Sequence, residues 1–151
     1  MLRDQLGDAL KAAMKTKDAR TVSTVRLILA ALKDRDITAR GKGNSDGVDD
    51  AEILSMLQSM IKQRRESIEM YEKGGRIELA QQEAEEIEII EGFLPEQMDE
   101  EEMASAIKGV IKELNAQSLK DMGRTMGVLK DRYAGKMDFS KAGPMVKAQL
   151  G

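Results

Sequence analysis

The stretch KQRRESIEMYEKGGRIELAQQEAEEIEIIEGFLPEQM (62–98) decides the fold. Leading into it, Ile53, Leu57, Met60, Ile61, Ile68 and Tyr71 recur at the spacing of one helix face, and Asp49 and Asp50 supply an acidic helix start. Gly74 and Gly75 end that run, because glycine readily takes the left-handed conformation that closes a helix. Ile77, Ala80, Ala84 and Ile87 then resume the helical period. Two helical patterns separated by two glycines predict a tight αα-hairpin, with small Ala80 and Ala84 suited to close helix contact. Phe93-Leu94-Pro95 stops the return helix, since the residue before a proline is pushed out of α geometry. We place a domain boundary there, giving residues 1–95 and 96–151.

Working outward, Leu2, Leu6, Ala9, Leu10, Ala13 and Met14 predict a helix over 2–16. Asp18 caps the next one, which presents Val22, Val25, Leu29 and Leu32 and fades near Arg40, before the polar loop GKGNSDG (41–47). On the other side, Asp99 with Glu102 forms a capping box ahead of Met103, Ala106, Ile107, Val110, Ile111 and Leu114. Leu119, Met122, Met126, Leu129 and Tyr133 define another helix, ended by Gly135. Ser140 begins a last one, with Pro144 in its first turn and Val146 and Leu150 inward. The expected fold is all-α: a helical N-terminal body with a long αα-hairpin, plus a small C-terminal three-helix bundle.

Composition limits the chemistry. There is no cysteine and no histidine, which removes disulfides, thiol nucleophiles, the commonest general base and the commonest metal ligand. Glu83–Glu86 and Glu85–Glu88 share helix faces as di-metal carboxylates do, yet that pattern calls for Glu-x-x-His. The expected cofactor and metal content is none. No segment reaches the ~20 apolar residues needed to cross a bilayer, and no signal-like apolar run opens the chain, so the expected setting is cytoplasmic, away from membranes. The net charge of −3 hides segregation: residues 116–151 carry seven basic and three acidic side chains, whereas residues 78–115 carry two and twelve.

The 62–98 run resembles the signature of the GatB/YqeY family. The segment DMGRTMGVLKDRYAGKMDFSKAGPMVKAQL (121–150) is similar to the end of the tail domain of GatB, one component of the glutamine-dependent aspartyl/glutamyl-tRNA amidotransferase. Gly123, Met126, Gly127, Lys130, Gly135, Lys136, Asp138, Val146 and Leu150 occupy its motif positions. Met137 and Phe139 depart from it, standing where the family favours small or turn-forming residues. The resemblance implies a tail that helps hold tRNA and a relation to a carbon–nitrogen ligase with glutamine as amido-N-donor, the amide transfer itself taking place in other domains. The implied partner is tRNA or a tRNA-amidotransferase complex.

Lys120, Arg124, Lys130, Arg132, Lys136, Lys141 and Lys147 are accordingly the candidate nucleic-acid-binding residues, since neutralised phosphates release counterions. A solvated helical surface is their plainer reading. Gly123 and Gly127, four apart, are expected to let helices pack closely, the alternative being that they let a ligand phosphate approach the backbone. Arg26, Lys33 and Arg40 line one flank of the second helix, which reads most simply as an edge salt-bridged by Asp34 and Asp36. Lys62–Glu66 and Arg65–Glu69 are expected i,i+4 pairs. Arg64 falls on the apolar stripe between Met60 and Ile68, so it needs a carboxylate, Glu83 or Glu86, from the return helix. Gly74, Gly75, Pro95, Gly135 and Asp138 are structural candidates. No catalytic set emerges. The alternative to the tRNA reading is a protein–protein adaptor that docks through the acidic segment and an apolar stripe around Phe93 and Leu94.

Overall fold

The computed structural model describes all 151 residues. It contains seven α-helices and no strand: α1 (Leu2–Thr16), α2 (Ala19–Gly41), α3 (Asp50–Lys73), α4 (Ile77–Glu91), α5 (Glu100–Leu114), α6 (Met122–Arg132) and α7 (Phe139–Leu150). The chain divides into two compact units, Met1–Leu94 and Pro95–Gly151.

In the first unit α3 and α4 form the hairpin. Gly75 takes φ +73°, the Arg76 N–H donates to the Tyr71 carbonyl and the Gly75 N–H to that of Glu72. This is the left-handed closure that satisfies a helix's last carbonyls, and a Cβ at Gly75 would strain it. The core is aliphatic: Leu6, Ile28, Ile53, Met56, Leu57 and Ile90 are fully enclosed, and Phe93 and Leu94 pack against the cluster. No apolar stripe is therefore left open at 93–94. The inner face of α4 is Ala80, Glu86, Ile87 and Ile90, while Ile77 and Ala84 point outward. On α2, Ile28 is buried in place of Val22, because the unbroken run Leu27–Leu32 fits more than one helix face.

Two ion pairs sit within this apolar packing. Arg64 Nε donates to Glu86 Oε2 at 3.0 Å and lies 3.8 Å from Glu83, and its guanidinium also reaches the Met60 carbonyl. Burial, then the neighbouring charge of Glu86, pushes the Glu83 carboxyl up, with Arg64 opposing. The second pair joins α1 to α2. Arg3 grips both carboxylate oxygens of Asp36 at 2.6 Å and donates to the Val48 carbonyl, while Asp36 also accepts from the Val48 N–H at 3.0 Å. Gly47, at φ +80°, passes so close that a Cβ there would collide with the Asp36 carboxylate. The bond from Arg3 holds the Asp36 carboxyl at about 2, with burial opposing and the Val48 N–H assisting.

In the second unit α5, α6 and α7 enclose Met103, Ile107, Val110, Leu129, Met137, Ala142, Val146 and Leu150. Asp99 and Glu102 form the capping box. Leu119 does not extend α6. It begins a single 3₁₀ turn and stands half exposed. Asp138, not Ser140, caps α7, so Pro144 lies in the second turn and leaves the exposed Ser140 carbonyl without its helical donor.

Removing one partner of a buried pair strands the other. Arg64→Met should destabilise the protein by about 3 kcal/mol in urea unfolding, and Arg64→Met with Glu86→Leu should recover much of that loss. Equal losses in the single and double variants would count against the pairing. The depressed Asp36 carboxyl adds stability that is full above pH ~4 and vanishes as pH falls through 2. Thermal melts of Asp36→Asn should therefore be lower than wild type at pH 7 and converge with it toward pH 2; a constant gap would refute this.

Candidate nucleic-acid interface

The seven basic residues of the tail divide by what the fold already asks of them. Arg132, at the end of α6, makes a two-pronged pair with Glu113 of α5 at 2.6 and 2.7 Å. That bond raises the guanidinium pKa and holds the Glu113 carboxyl below its ordinary value. Arg124 donates to Asp121 at 3.0 Å. Asp121 is itself kept low first by the Gln117 N–H, against a small burial cost, and further by Arg124. These two arginines are committed within the tail. Lys120 in the 3₁₀ turn, Lys130 on α6, Lys136 in the α6–α7 turn, and Lys141 and Lys147 on α7 are exposed and make no ion pair.

Lys136 lies outside a helix, yet its backbone is bonded on both sides. Its N–H donates to the Tyr133 carbonyl, and its own carbonyl accepts from the Met98 N–H at 2.9 Å. The adjacent Gly135 takes φ +77° and its carbonyl accepts from the Gln97 amide. Pro95 therefore opens a short segment that is pinned onto the α6–α7 turn. Burial of Met137 and the Asp138 cap fix the far side of that turn. Burial tends to raise the Asp138 carboxyl, but the Ser140 hydroxyl and N–H win and keep it low. Lys136 and Lys141 thus flank a rigid corner.

Gly123 and Gly127 are not a packing seam. A Cβ at either would have nothing within 4 Å, and both are exposed. Their positions, with Lys130, fall within roughly 60° around α6, at 100° per residue. The solvent side of α6 therefore leaves its backbone open at Gly123 and Gly127, with Lys130 in line and Asp131 and Arg124 to one side. A glycine inside a helix costs about 0.5–1 kcal/mol relative to alanine, so the fold gains nothing from these two. Sequence spacing suggested them, but only the placement of α5 and α7 reveals that no helix lies above them.

The remaining expected clusters resolve differently. Lys62 makes no ion pair, Arg65 reaches Glu91 at 3.3 Å, and Glu69 pairs with Lys73. Glu85 pairs with Arg20, so the α4 carboxylates at 83, 85 and 86 all face guanidinium groups, and no group of acidic side chains converges as a metal site. No helix is long and apolar enough to cross a membrane.

An all-helical chain with a four-helix unit and a lysine-edged three-helix tail is thereby defined. The family model described as Yqey-like protein matches residues 3–150, and the chain belongs to that family. It is 30% identical to "Altered inheritance of mitochondria protein 41, mitochondrial" of Lachancea thermotolerans over 147 residues, 93% of this chain and 74% of that protein. The protein of the same name from Eremothecium gossypii is 34% identical over 56% of this chain and 44% of its own length. An uncharacterized Schizosaccharomyces pombe protein is 29% identical over 64% and 71%. The names of the first two place those proteins in mitochondria, which a plainly cytoplasmic expectation does not match.

Gly123→Ala and Gly127→Ala should each raise stability by about 0.5–1 kcal/mol in chemical denaturation. A loss of stability in either would mean that the glycines do serve the fold.

Proposed function

We propose that this protein is a tRNA-binding accessory module, related through its tail to the glutamine-dependent tRNA amidotransferase, with any carbon–nitrogen bond formation left to a partner enzyme. The observation that supports the reading is that five lysines of the tail stand exposed and unpaired, while its two arginines are bound up in ion pairs. None of these lysines forms an ion pair, and the Lys141 charge acts within the fold only as the last of several influences that keep the Asp138 carboxyl low. The set is thus available to phosphates, and the open α6 backbone at Gly123 and Gly127 lets a phosphate chain approach beside Lys130. The tail offers few aromatic faces for stacking, Tyr133 and Phe139 being half-buried against its core, so the contact is to backbone shape rather than to base edges. The relatives' names point to mitochondria, a compartment that holds tRNA.

Titration of bulk tRNA against the full chain tests this. If three to five phosphates are neutralised, affinity should fall by roughly 40- to 500-fold between 50 and 200 mM salt. Lys130→Glu/Lys136→Glu/Lys141→Glu should weaken binding at both salts and flatten the salt slope by about three. Negligible binding by both proteins at low salt would remove the proposal.

A further inference from the structure

The second helix carries a feature that the tail reading leaves unused. Leu27, Ala30 and Ile37 form one line on the solvent side of α2, and Leu27 and Ile37 are 49% and 57% exposed. Along one flank of that line run Arg26, Lys33 and Arg40, spaced seven residues apart and all exposed. None of the three forms an ion pair. The carboxylates expected to neutralise them form no ion pair with them: Asp36 is buried in the grip of Arg3, and Asp34, exposed on the same face, makes no ion pair. Arg40 donates to the Ser45 carbonyl at 3.3 Å, and its charge helps hold the Asp36 carboxyl low without forming an ion pair. At the start of α2 the flank opens into a shallow cleft of about 500 Å³, lined by Met14, Val22 and Ala19 with Lys17 and Arg26 at its edges.

We propose that this face of α2 docks an amphipathic helix of a partner protein whose apolar stripe is flanked by glutamates or aspartates. Three features fix that choice of occupant. A seven-residue repeat of cations recurs about every 10.5 Å along a helix, which is the repeat of the flanking positions on a second helix packed alongside. The apolar line beside the cations supplies the seam that such a helix buries. The flank at 26, 33 and 40 carries cations only, so the partner side chains facing that flank must be acidic. Nucleic acid fits less well: phosphates would leave Leu27 and Ile37 against solvent or charge, and α2 has no aromatic residue on which a base could stack. Asp34 lies in the seam between Ala30 and Ile37, and a partner with lysine or an amide at the facing position satisfies it, which sets register. The cleft at Met14 takes the partner's terminal apolar side chain. This surface lies wholly within the first unit and is independent of the reading of the tail.

The test uses the full chain and a designed peptide about four heptads long, with leucine in the seam and glutamate on both flanks, against the same peptide with lysine flanks. Fluorescence anisotropy should show the glutamate peptide binding at least about 10-fold more tightly than the lysine peptide. Arg26→Glu/Lys33→Glu/Arg40→Glu should invert that preference, and Leu27→Ser/Ile37→Ser should weaken both peptides; all of these positions are exposed, and unchanged thermal melts would confirm intact folds. Absence of binding, or equal binding of the two peptides, would overturn the proposal. So would sedimentation showing that the wild type self-associates through the same residues, or tRNA competing the peptide away.

Discussion

The packing of α3 on α4 is the contact on which the first unit depends. It encloses Ile53, Leu57, Ile61, Ile87 and Ile90 and does so around a guanidinium, because Arg64 lies where an apolar side chain would otherwise fall. A buried arginine is tolerated only when carboxylates meet it, and Glu86, with Glu83 behind it, meets this one from the opposite helix. The pair therefore works as a register device. Sliding α4 by one turn would bring the wrong residues opposite Arg64 and leave three charges unsatisfied. Paired glycines at the hairpin tip and a proline at its foot set the length over which that register holds.

A second charge pair performs the same service for α1. Arg3, Asp36 and the backbone of Val48 tie the first helix, the end of the second and the loop before the third into one corner. With no disulfide and few aromatics, the unit relies on aliphatic packing for its energy and on these two partly buried pairs for its specificity. The tail does without a buried pair. Its two arginine contacts lie at the surface, where ion pairs contribute little, and its core of Met103, Ile107, Leu129, Met137 and Val146 carries the fold.

Much of this was legible in the residues. Helix period, capping box, paired glycines and the proline stop gave seven helices near their observed bounds. Arg64 could be assigned its partners because a cation on an apolar stripe admits few solutions. Asp36 obeys the same logic, four residues beyond Leu32 on the buried line of α2, and the same question asked of it would have pointed to the Arg3 clamp. What could not be read was what lies opposite each helix. The continuous apolar run Leu27–Leu32 hid which face of α2 turns inward, so Ile28 was missed. The spacing of Gly123 and Gly127 is the same whether a helix or only solvent lies over them. Glu113 and Arg132 meet only because α5 and α6 bring them together. Charge neutralisation on a helix edge, likewise, is a tertiary fact: Asp36 lies close in sequence to the α2 cations but is spent on α1.

The central claim is that this protein acts through cations its own fold does not tie up in ion pairs. Amide hydrogen exchange of the intact chain, with and without tRNA, tests it most directly. The account predicts slowed exchange in the tail around Gly123, Gly127, Lys130 and Lys136, with the amides of α2 unchanged. Protection confined to α2, or no protection anywhere at low salt, would contradict it.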